Sequence, residues 1–276
     1  MISDRIISVL KFIKWRIISI KRQILSFLRV NLIKTLYFNF KMFPFRTAIK
    51  LPVFFYGKVR FGGLNGQVII NAPLKKGLVK FGLNIEIAKR TLGTSELTID
   101  GIFTINGSFC TGVDYCLFIQ KGGVFEIGDN SHLASRTRIF VTNKVVLGRY
   151  FRLSNDSEIF DSSFHYLIDT ALNEVKRMNG SIIIDDYCWI GSRTMILKNT
   201  RTPKYTTVAS NSLLNKDYAN VIPEKSLIGG IPGKLIRTNI VRVFDHEKEI
   251  IIQDFFDANP NEMVFKVQNP FDLIKS

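Results

Sequence analysis

Ile184-Asp185-Asp186-Tyr187-Cys188-Trp189-Ile190-Gly191-Ser192 opens a register in which Ile184, Ile190, Ile196, Thr202, Val208 and Leu214 set an apolar or β-branched side chain at every sixth position. The same spacing occurs earlier as Ile127, Leu133, Ile139, Val145, in a shifted frame as Leu147, Leu153, Ile159, and more loosely as Ile99, Ile105, Thr111, Leu117. Four residues after each lies a second, mostly small position: Ser131, Thr137, Asn143, Phe151, Ser157, Ser163, Cys188, Thr194, Thr200, Thr206 and Ser212. A helix repeats its apolar face every ~3.6 residues and a lone strand every second residue, so neither explains a period of six. A β-solenoid does. Each hexad makes one flat face of a prism, its large residue points inward, and its small residue sits near a corner.

The chain has 276 residues with 46% hydrophobic composition, enough for a continuous inner column. Cys110, Cys116 and Cys188 follow no metal-ligand or oxidative-scaffold spacing, which points to a reducing compartment, and Cys188 reads as a buried small hydrophobe. The net charge of +15 is not spread evenly, because residues 1–60 hold 13 Lys or Arg against the single acid Asp4. The remainder is nearly balanced, which argues against a nucleic-acid surface. Ile2, Ile6, Leu10, Ile13, Ile17, Ile20, Ile24 and Phe27 share one helical face with Arg22, Arg29 and Lys11 opposite, the pattern of a helix lying in a membrane interface. No apolar run approaches the ~20 residues of a membrane span. The alternative for this stripe is docking on the solenoid or on a partner helix.

Along the chain, 1–50 is a basic amphipathic segment, 51–237 the solenoid, and 238–276 a tail with a helix around residues 247–256. Residues 161–181 interrupt the hexads. Excursions from solenoids are where binding loops are placed. Of three histidines, His132 reads as a surface turn residue and His246 as a solvated helix start, whereas His165 lies inside the excursion between Asp161 and Asp169. A carboxylate beside an imidazole can set its tautomer and stabilise the imidazolium, so His165 is the candidate general base and Asp161 and Asp169 its partners. An exposed loop histidine is the plain alternative.

Three motifs occur in order: Ile184 through Ser192 as above, Val208-Ala209-Ser210-Asn211-Ser212-Leu213-Leu214-Asn215-Lys216-Asp217, and Ile228-Gly229-Gly230-Ile231-Pro232-Gly233-Lys234-Leu235-Ile236-Arg237. Together they resemble the C-terminal part of the hexapeptide-repeat acyltransferases, closest to galactoside- and maltose-type sugar O-acetyltransferases and to capsule and lipopolysaccharide acetyltransferases. The segment Asp161-Ser162-Ser163-Phe164-His165 also resembles the Asp-x-x-Phe-His stretch of the polysaccharide-modifying branch. The resemblance implies an all-β, left-handed parallel β-helix assembled as a homotrimer, with acetyl-CoA and a sugar or glycan acceptor meeting between subunits. It implies direct acetyl transfer to a sugar hydroxyl with His165 as base, and no metal. By motif position it brings Trp189 and Ser192 to the pantetheine path, Ser210, Asn215 and Lys216 to the next turns, and Lys234 and Arg237 to the nucleotide phosphates.

Departures from the family pattern are Thr202-Pro203-Lys204 where Ile-Gly-Asp is usual, and Asn211 where Gly is usual. Asn tolerates a left-handed turn, so the groove can survive the second change. Asn155, Asp161 and Asp169 are candidates for acceptor contact, with turn capping as the alternative. Competing functions are N-acetylation of a nucleotide-linked amino sugar and a non-catalytic solenoid scaffold. The expected location is cytoplasmic, peripheral on the inner face of the membrane through residues 1–40, with no nucleic-acid partner.

Overall fold

The computed structural model describes residues 30–84, 93–267, 269 and 273. The apolar stripe from Ile2 to Phe27 lies outside them. Three sheets of nine, seven and six strands, parallel except for the last strand of the first, form the faces of a β-helix. One coil runs through Ser131–Leu133, Arg138–Val141 and Lys144–Leu147, and the next through Arg152–Leu153, Glu158–Phe160 and Ile182–Ile184. Strand register lines up the inward side chains. Leu133, Leu153, Ile190, Val208 and Ile228 stack on the first face. Ile139, Ile159, Ile196 and Leu214 stack on the second, and Ile127, Leu147, Ile184 and Thr202 on the third. All of these are buried. The stretch before the clear hexads forms full coils too, since Gln67–Ile70, Ile102–Asn106 and Val124–Gly128 pair in register.

The corners explain the small positions. Thr137, Thr206 and Ser212 each donate a hydroxyl hydrogen bond to the carbonyl three residues earlier, on Ala134, Pro203 and Ala209, which closes the turn without solvent. Ser163 departs from this pattern and is exposed, because the chain has left the coil there. Tyr187, Arg193, Asn199, Tyr205 and Asn211, again six apart, take left-handed backbone with φ between 56° and 66°. An ordinary residue pays about 1–2 kcal/mol for that conformation. Tyr150, Tyr187 and Tyr205 offset it by stacking along one corner with centroids 4.7 and 4.9 Å apart.

The first strand, Val53–Phe55, would present an open edge. Helix α1 (Leu32–Met42) covers it. Asn39 accepts from the Val53 N–H and donates to the Val53 carbonyl, while the Thr35 hydroxyl accepts from the Phe55 N–H, so two side chains take the place of a preceding strand. Phe38 packs edge-on against Phe55 at 5.0 Å. Residues 32–48, including α2 (Phe45–Ala48), therefore belong to the solenoid and not to the basic segment, which shifts the expected boundary at 50. At the far end Lys234–Thr238 runs antiparallel against Ser226–Gly229. Helix α3 (His246–Ala258), capped by the Asp245 carboxylate, is the tail helix expected around 247–256. No described helix is long and apolar enough to cross a membrane.

Candidate active site

The excursion leaves the corner between the second and third faces. It contains a short hairpin, Ile168–Asp169 against Glu174–Val175, closed at its base by a bridge between Ser162 and Asn179. Phe164 packs edge-on against Phe140 and Phe160, each at 6.0 Å, and Lys198 from the next coil donates to the carbonyls of Met178 at 2.9 Å and Arg177 at 3.1 Å. These contacts hold a segment with little core of its own. His165 is exposed on it, in a groove of about 300 Å³ with Ser163, Asp169, Lys176 and Lys198. The Ser163 hydroxyl donates to the His165 carbonyl at 3.0 Å and fixes the backbone that carries the ring. Asp169 shares the groove, and its Oδ1 also accepts from the Ala171 and Leu172 N–H groups in the hairpin turn.

Asp161 does something else. It is fully buried, and its carboxylate accepts from the Thr142 N–H at 2.8 and 3.0 Å, the Thr142 hydroxyl at 2.8 Å and the Asn143 N–H at 2.7 Å. Both oxygens are turned toward the preceding coil, so the expectation that Asp161 orients His165 or touches an acceptor is corrected to turn capping. The carboxylate locks the point at which the excursion departs.

The other expected residues are spread over the first face, the two ends of its strands and the His165 corner. Along the corner between the first and second faces, backbone bonds from Arg193 to the Asn155 carbonyl and from Asn211 to the Ser192 carbonyl stack Asn155, Ser192 and Ser210 parallel to the solenoid axis. Gly191 is required there, since a Cβ would stand 2.6 Å from the Ser210 nitrogen. Lys234 pairs with Gly229 at the same corner, whereas Arg237 pairs with Leu227 toward the opposite end of the strand. Asn215 and Lys216 follow Leu214 onto the His165 corner, where Lys216 lies 5.3 Å over the Tyr218 ring. Asn155, Trp189 and Ser192 line a groove of about 630 Å³ with His132, Arg152 and Arg242. The Trp189 indole donates to the Ser154 hydroxyl at 3.1 Å, which holds the ring upright.

Sequence reasoning missed Lys176, Lys198, Arg152 and Arg242. It also placed His132 on a turn, while the structure has it within Ser131–Leu133, in line with Arg152 and Trp189. No local pattern marks these residues, because coil stacking and the returning tail bring them together. Burial pushes the Cys188 thiol up to about 12 and the Cys110 thiol to about 11, so neither is a nucleophile in waiting. Among the described residues no group of His, Cys, Asp and Glu could hold a metal ion.

No protein-family model matches the sequence, and no curated protein matches it. Solved structures do. The polySia-specific acetyltransferase NeuO shares 20% identity at a TM-score of 0.53, over 77% of this chain and 85% of that one. The polysialic acid O-acetyltransferase OatWY shares 16% at 0.48, over 72% and 100%. The hexapeptide-repeat acetyltransferase VCA0836 of Vibrio cholerae O1 biovar eltor, complexed with acetyl coenzyme A, shares 20% at 0.38, over 49% and 70%. The likeness to NeuO shows the fold, the left-handed β-helix of hexapeptide-repeat proteins.

Proposed function

We propose that this chain is an acyltransferase that moves an acetyl group from acetyl-CoA to a sugar hydroxyl of a cell-surface glycan or its lipid-linked precursor, with His165 as general base. The carrying observation is the exposed imidazole of His165 in a groove on an excursion pinned by Lys198 and Asp161. The shared fold with an acetyltransferase supports it. In this reaction the His165 imidazole takes the hydroxyl proton as the oxygen attacks the thioester carbonyl. The C–S bond then breaks, and the imidazolium returns the proton to the CoA thiolate. Lys234 and Arg237, both exposed, suit CoA phosphates.

A homotrimer is part of the proposal. His165 and the Trp189 groove lie on different corners of one protomer, and a neighbouring copy would set one against the other. The hairpin supports this by exposing Tyr166, Leu167, Ile168, Leu172 and Val175. His165→Ala should lower turnover by about 10²–10⁴-fold while calorimetry shows unchanged CoA affinity. Full turnover would remove His165 from the mechanism.

We further place the capped end of the solenoid on an anionic lipid surface. Residues 30–84 hold nine Lys or Arg and no acid, and α1 exposes Leu32, Ile33, Leu36, Tyr37 and Phe40 on its outer side. A second copy docked there would face the same charge. Full-length protein should float with phosphatidylglycerol vesicles at low salt, and Ile33→Asp with Phe40→Asp should weaken this. Deletions must stop at residue 29, because removing α1 uncaps the first strand.

A further inference from the structure

On the first face, strand register sets Cys110, His132, Arg152 and Trp189 in one outward row. The returning tail adds Arg242, whose guanidinium lies 5.2 Å over the Trp189 ring, and Phe244, which lies within 5.6 Å of the Arg152 guanidinium. Two cations thus meet in one groove. Their compensation is incomplete. The hydrogen bonds of Arg152 go to neutral oxygens, the carbonyls of Asn130 and Phe151 and, at 3.5 Å, the Asn130 amide. Glu249 is the one carboxylate among the lining residues described, and it stands 3.8 Å from Arg242. Burial first, and then the charge of Arg242, push the Arg152 guanidinium below its ordinary range. A cation held on neutral partners beside a second cation is unfavourable until an anion arrives.

We propose that this groove is an anion subsite for the acceptor, taking a carboxylate or phosphate group carried by the glycan. Two features point to the acceptor and away from CoA. Arg152 lies one coil to the N-terminal side of Trp189, whereas Ser210 and Lys234, two of the residues matched to the donor, lie toward the C-terminal side. Beside Arg152 the lining offers Ser154 and Asn155 for sugar hydroxyl groups, while Trp189 and Ser192, matched to the pantetheine path, bring the donor up against them. A guanidinium pair adds planar, charge-assisted recognition of an oxyanion. The proposal rests on the acyl-transfer reading of the same site.

The test compares trigalacturonate, its fully methyl-esterified form and a phosphorylated trisaccharide by calorimetry at physiological salt, with CoA binding and acetyl transfer measured in parallel. A charged sugar should bind at least about tenfold tighter than the methyl ester, and Arg152→Gln and Arg242→Gln should each remove most of that preference. Glu249→Gln should enlarge it, by removing the competing carboxylate. Whether carboxylate or phosphate gains more identifies the group. Should Arg152→Gln fail to fold, the two tail variants decide. Equal affinity for charged and esterified sugars overturns the subsite, as does a loss of CoA affinity in the arginine variants, which would assign the pair to CoA phosphates. Anion preference without acetyl transfer to any acceptor would leave the subsite standing and sink the acyltransferase reading, and transfer without anion preference would do the reverse.

Discussion

Asp161→Asn separates structural capping from catalysis. The native carboxylate receives three donor groups, the Thr142 N–H, the Thr142 hydroxyl and the Asn143 N–H, all between 2.7 and 3.0 Å, in a site with no solvent exposure. An amide keeps the shape and, with its oxygen at the Oδ2 position, still accepts from both backbone N–H groups, so what is lost is the charge and the second acceptor. Losing a charge-assisted bond costs about 1.5–3 kcal/mol, which gives about 2 kcal/mol as a central value. At roughly 2–4 °C per kcal/mol for a chain of this size, the melting temperature should fall by about 4–8 °C. Calorimetric melting of both proteins, followed by turnover at a temperature where each is folded, tests this. A melting temperature within a degree of the parent, combined with a large fall in turnover, would refute the capping assignment and return Asp161 to the catalytic group.

Tyr187→Gly removes the side chain from a left-handed position with φ 58°, yet it should destabilise, because two aromatic stacks worth about 0.5–1.5 kcal/mol each are lost; a higher melting temperature would contradict this. Burial raises the Asp186 carboxyl, but hydrogen bonds from Arg149 and its charge outweigh that and leave it below the usual range. Its stabilising contribution is therefore present above the unfolded carboxylate pKa of about 3.9 and lost as pH falls through the lower folded value. Arg149→Ala should flatten that acid-side loss, by about 1 kcal/mol or less for so exposed a pair, in urea melts between pH 5 and 2. Replacing Lys234 and Arg237 together by Ala should weaken CoA by ~1.5–3 kcal/mol while dephospho-CoA changes much less, if one of them meets the 3′-phosphate; equal losses would exclude that contact.

The period of six identifies the buried column residue by residue, from Ile127 to Leu214, because inward direction in a β-helix is a property of local spacing. It also supports the left-handed turn at Asn211, whose side chain suits that backbone. The equivalent turns at Tyr187, Arg193 and Tyr205 are illegible from residue type, since nothing intrinsic to Tyr or Arg favours positive φ. Their compensation comes from neighbours one coil away, 18 or more residues distant in the chain.

The same distance limits what the sequence says of the site. His165 stands out because it lies in the one long break in the repeat, and the break is a sequence property. The task of Asp161 is decided by Thr142 and Asn143 in the preceding coil, and α1 becomes a cap because Thr35 and Asn39 meet the open edge at Val53 and Phe55. Arg152 and Arg242 are 90 positions apart and converge on Trp189 only when the tail folds back. Sequence alone determines what repeats locally, namely the inward column and the place where it is interrupted. Only the tertiary structure decides which charges face one another, because electrostatic and hydrogen-bond partners are chosen by distance in space, and coil stacking sets that distance independently of order along the chain.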